Sequence, residues 1–131
     1  KKLTCYYPEQ FEIIMKENES VVFIDDDNRH MYDLHYGIRF VETSMFKICD
    51  YEVFIGFIYG ILSQNGDIQK IFVDGLNNII RSLNSEDVEN LCEILDRISN
   101  DYNVDFTLIY SAPLSAVPDQ VRKFVIWYKI E

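Results

Sequence analysis

Short apolar runs that end on an acid recur along this chain, and residues 68–77 (IQKIFVDGLN) carry the clearest one. Ile68, Ile71, Phe72 and Val73 lead into Asp74 and then Gly75. A run so short and so apolar predicts a strand buried on both faces, the kind that builds parallel sheets. The acid then falls at the strand's carboxyl end, where open α/β sheets place their ligands.

The rest of the chain supplies matching units. Residues 3–7 (LTCYY) read as a first strand, and Pro8 suits the first turn of a helix that carries Phe11, Ile14 and Met15 on one face. Residues 21–24 (VVFI) form a second strand running into Asp25, Asp26 and Asp27. After a polar and aromatic stretch closed by Gly37, residues 38–43 (IRFVET) make a third, with Thr43 and Ser44 at its tip. Asp50 suits the N-cap of a helix over 51–64, stopped by Asn65 and Gly66. Beyond the 68–77 stretch, Ile79, Ile80 and Leu83 continue along one face to residue 83. Ser85 is read as the cap of a helix whose stripe is Val88, Leu91, Cys92, Leu95 and Ile98. Residues 105–110 (DFTLIY) are the next strand with Ser111 beyond it. A short helix opens at Pro118, and residues 124–130 (FVIWYKI) close the pattern.

This alternation predicts a single α/β domain over residues 1–131, with three α/β/α layers and a mostly parallel sheet of five or six strands. At 131 residues and 48% hydrophobic, the chain suits one domain with a full core. It begins without a methionine, which suits a piece of something longer. The net charge of −10, from 22 acidic against 12 basic residues, disfavours nucleic acid and anionic membranes as partners. The longest apolar run, residues 53–62, is about half a membrane span, so no insertion is expected. Cys5, Cys49 and Cys92 are an odd set without CxxC spacing, read as buried reduced thiols of a cytoplasmic protein.

Parallel strands deliver their carboxyl ends to one rim. The residues expected to gather there are Asp25, Asp26, Asp27, Thr43, Ser44, Asp74 and Ser111, with Asp25, Asp26, Asp74 and Ser111 as the candidate metal or phosphate set. Hard oxygen ligands of this kind suit Mg²⁺. Strand ends and helix caps also use acids for purely structural reasons. The helix over 51–64 lacks a polar face, so Phe54, Phe57, Ile58 and Ile61 are candidate interface residues together with Trp127. Gly56 and Gly60 on that helix would admit another backbone, either the chain's own sheet or a second subunit. His30 and His35 are five apart and read as surface or loop residues.

Two families resemble the chain in outline. KIFVDGL, a helix and FTLIYSA, over residues 70–124, resemble the second half of a RecA-like P-loop ATPase domain. The resemblance implies Asp74 as the metal-associated acid and Ser111 as the sensing residue. No G-x-x-x-x-G-K-[ST] occurs, so nothing cradles a nucleotide's phosphates. What it implies is either a fragment missing its front end or a catalytically silent regulatory or assembly domain, with no cofactor of its own and a protein partner or a second copy of itself. VVFIDDDNRHMYDL resembles the first strand of response-regulator receiver domains, which implies Asp25 and Asp26 as the Mg²⁺ acids, Asp74 as phosphoacceptor, Ser111 as switch hydroxyl and Lys129 as the lysine. An extra leading strand and the missing proline after Lys129 depart from that pattern. Asp25-x-Asp27 is also similar to the opening motif of haloacid-dehalogenase-type phosphatases, with Asp25 as nucleophile, although no later acidic pair follows Ser111.

Overall fold

Val21–Asp25 is buried at all five positions, as a central strand of a parallel sheet must be when both its faces are covered. The computed structural model describes residues 3–6, 19–28, 37–109, 118–123 and 125–127. Its strands are β1 (Leu3–Tyr6), β2 (Val21–Asp25), β3 (Arg39–Glu42), β4 (Lys70–Asp74), β5 (Asp105–Ile109) and β6 (Val125–Trp127). They lie in the order β3-β2-β4-β5-β1-β6, and every pairing among them is parallel. The helices are α1 (Tyr51–Gln64), α2 (Leu76–Ile79), α3 (Ser85–Tyr102) and α4 (Asp119–Arg122).

Alternation along the strands sends successive side chains to opposite faces. Val22, Ile24, Ile71, Val73, Phe106 and Leu108 join Phe54, Ile58 and Leu62 of α1 and Leu91, Leu95 and Ile98 of α3 in the main core. Val21 and Phe23 look the other way, with Phe40 and Phe72 beside them. There the Phe23 ring stacks on Phe40 and Phe72 from the two neighbouring strands, with centroids 6.0 and 6.5 Å away. Asp25 and Asp74 share the parity of Phe23 and Phe72, so they end that second face.

The amino ends of the strands are tied together too. Gln69 donates its backbone N–H to the Ser20 carbonyl and accepts from Asp105 N, while its side chain accepts from Ser20 N. Lys70 pairs with Glu19 at 2.9 Å. With the amino ends in register, the carboxyl ends are in register as well.

Local expectations are refined in five places. The N-cap of α3 is Asn84, not Ser85: its side chain accepts from Asp87 N, and Asp87 accepts from Asn84 N in a capping box. The helix expected to run to residue 83 stops at Ile79. The third strand ends at Glu42, where the chain turns into a 3₁₀ segment, Thr43–Met45. Cys49 is exposed while Cys92 is buried, so the expectation of buried thiols fails at Cys49. At Gly56 and Gly60 nothing among the described residues lies within 4 Å of where a Cβ would stand, so the chain's own sheet is not the backbone they admit. Asp50 caps α1 as expected, accepting from Val53 N at 2.8 Å. No helix among the described residues is long and apolar enough to cross a membrane.

Candidate functional site: the acidic edge at the β2/β4 switch point

The chain leaves β2 for β3 on one side, then returns past β2 to β4 and continues outward to β5. Between β2 and β4 the direction of winding reverses, and in open α/β sheets the crevice outside the strand ends at such a point is where ligands bind. The residues the fold puts there are acids. Asp25 and Asp74 are register partners on adjacent strands. Asp25 is 0% and Asp74 7% exposed.

Asp25, Asp26 and Asp27 can each present one carboxylate oxygen within 4.8 Å of the others. The Asp25 side chain folds back so that its Oδ1 accepts from Asp26 N at 2.7 Å. As carboxylates, Asp25 Oδ2 and Asp26 Oδ1 are both hidden from solvent and lack a hydrogen-bond donor among the described residues. Buried polar atoms are normally satisfied, so such a pair calls for a proton or a cation. Burial above all, then the adjoining Asp26 carboxyl and the charge on Asp74, push Asp25 from its ordinary 3.8 up to about 8.

Gly75 makes the close approach possible. It sits at φ +69, and a Cβ there would stand 2.7 Å from Asp26 Oδ1. The Asp26 carboxylate therefore lies directly against the turn that follows β4. Thr43 closes the other flank, donating its Oγ1 to the Asp25 carbonyl at 3.2 Å, while Ser44 hydrogen-bonds the Glu42 carboxylate.

Beside this edge opens a cavity of about 700 Å³. Asp26 forms part of its wall, with Phe46, Ile48 and Cys49 on one side and Asn77, Asn78, Ile79 and Arg81 on the other. Ser82 donates its hydroxyl to the Cys49 carbonyl at 3.0 Å, joining the two walls.

Of the residues singled out from sequence, Asp25, Asp26 and Asp74 come together. Ser111 lies outside the described residues, as do Lys129, His30 and His35. Phe54 and Ile58 belong to the chain's own core, and Phe57 and Ile61 are half-buried against it. Trp127 is on β6, the terminal strand in the sheet order. The cavity residues Asn78 and Arg81 were not singled out. For Asn78 the signal was the amide pair Asn77-Asn78, one residue beyond Asp74-Gly75, masked by the expectation of a longer helix; for Arg81 there was none. Comparison of the chain with known protein families, with curated proteins and with solved structures finds no match.

Proposed function

We propose that this domain binds a divalent cation, Mg²⁺ by preference, at the acidic edge, and that the cation is what the domain works through. The observation that carries this reading is the pair of buried carboxyl oxygens, Asp25 Oδ2 and Asp26 Oδ1, which have no protein donor among the described residues and lie at the switch point of the sheet, a place a proton holds below about pH 8 and a cation can take. Asp27 offers a third oxygen, and Asp74 is a fourth carboxyl group on the next strand. Mg²⁺ takes one or two carboxylates and keeps several waters, which suits a site open on its Asp27 side. The burial of Asp25 and Asp74 favours cation binding over a role for either as an attacking nucleophile, as receiver-type phosphorylation of Asp74 or a phosphatase built on Asp25 would need.

Calorimetric titration with Mn²⁺, as a stand-in for Mg²⁺, tests the proposal. Saturable one-site binding, weakened in Asp25→Asn, is expected. No binding at millimolar Mn²⁺ to folded protein would sink it.

A second reading keeps the regulatory domain that acts through protein contacts, as the RecA-like resemblance implies. It is favoured by apolar side chains left outside: Met45 is 84% and Phe46 53% exposed, with Val53 and Tyr59 further along α1. Light scattering behind size exclusion tests its self-association form, for which a concentration-dependent dimer is the expected result and a clean monomer the contrary one.

A further inference from the structure

The cavity next to the acidic edge has contents that a cation alone does not explain. It shares Asp26 with the carboxylate cluster, and among the described residues its one cationic wall residue is Arg81. Among the described residues Arg81 has no ion pair. A planar guanidinium with free donors matches the oxygens of a phosphate better than any other surface group. Phe46, Ile48 and Ile79 give the same space an apolar side, and Asn78 adds an exposed amide. At about 700 Å³ the cavity is of a size that takes a small organic molecule rather than a bare ion. A chain of net charge −10 repels phosphate unless something neutralises the acids at the mouth. A cation on those acids would do so, and Asp26 is the residue that the cluster and the cavity wall share.

We propose that this cavity binds a small phosphate monoester with an apolar body, its phosphate held between the cation on Asp25 and Asp26 and the guanidinium of Arg81. The inference rests on the cation reading above. Cation and ester then bind with positive coupling, each raising the affinity for the other by the same factor.

The test uses the whole chain, Mn²⁺, phenyl phosphate and inorganic phosphate. Phenyl phosphate is expected to bind in the presence of Mn²⁺ and much more weakly in its absence. It should bind more tightly than inorganic phosphate, because the apolar wall contacts the ring. Arg81→Gln, at an exposed position, is expected to fold normally by circular dichroism and to bind Mn²⁺ alone as the wild type does. It should lose about tenfold or more in phenyl phosphate affinity, as removal of a charge-assisted contact would cause. Mn²⁺ binding without phenyl phosphate binding, or an Arg81→Gln chain that binds the ester undiminished, overturns this inference and leaves the cation reading standing. Phenyl phosphate binding that ignores Mn²⁺ also overturns it. Absence of Mn²⁺ binding overturns both.

Discussion

Asp25 is the residue at which the physics of this site is sharpest. Its carboxyl is held protonated in the folded chain to about 8 but titrates at its ordinary 3.8 when the chain unfolds. Between those values the folded state binds a proton that the unfolded state has released, so this group's contribution to stability falls as pH rises. In Asp25→Asn that contribution is absent. The stability of the wild type relative to the variant should therefore decline from about pH 4 to about pH 8, measured by urea denaturation at a series of pH values without divalent cations. A flat difference would mean that Asp25 ionises normally. Gly75 is the companion case. An alanine there must hold a left-handed backbone, at about 1–2 kcal/mol, and its Cβ meets Asp26 Oδ1. Because that oxygen ends a movable side chain, the clash is relieved by displacing the carboxylate. Gly75→Ala is thus expected to lose about 1–2 kcal/mol of stability and to bind Mn²⁺ more weakly, read by thermal melting and calorimetry.

At the scale of elements, the two long helices face the core for different reasons. α3 has a regular stripe, Val88, Leu91, Cys92, Leu95 and Ile98, all buried, with its amino end closed by the Asn84–Asp87 box and its carboxyl end by Asn103 at φ 56. Loss of the cap in Asn84→Ala should cost about 1 kcal/mol. α1 is apolar nearly all round, and its packing is resolved by partition. Phe54, Ile55, Ile58 and Leu62 go inward, Phe57 meets the Phe46 ring at 5.3 Å, and Tyr59 meets Tyr102 of α3 at 6.0 Å. The outward strip is kept small by Gly56 and Gly60. Since a Cβ at Gly56 meets nothing within 4 Å, Gly56→Ala should stabilise the protein by about 0.5–1 kcal/mol. A destabilised variant in denaturant titration would show that the glycine serves a contact the monomer does not make.

For the whole molecule, the parallel sheet is what turns scattered acids into one edge. Phe54, wholly buried, packs from α1 into the core beneath that sheet. Phe54→Ala should cost about 3–5 kcal/mol, measured by denaturant titration. Such a loss accords with a core residue and not with a docking residue.

The sequence alone determined the elements and their direction. Apolar runs such as VVFI and IFV predict buried strands, and the helical stretches between them call for a crossover after almost every strand, so parallel pairing follows from local pattern. The same logic sent Asp25, Asp26 and Asp74 to a common edge. Tertiary structure alone decided which strands are neighbours. Run length and periodicity carry no information on sheet order, so the placing of β2 beside β4, and hence of Asp25 opposite Asp74, is set by how the crossovers pack. The cavity is likewise a tertiary product: Phe46 is far in the chain from Asn78 and Arg81, and the two segments meet only after β3 and β4 have been placed on either side of β2. Burial decided the rest, because a carboxylate's charge depends on what surrounds it, and the surroundings of Asp25 exist only in the folded chain.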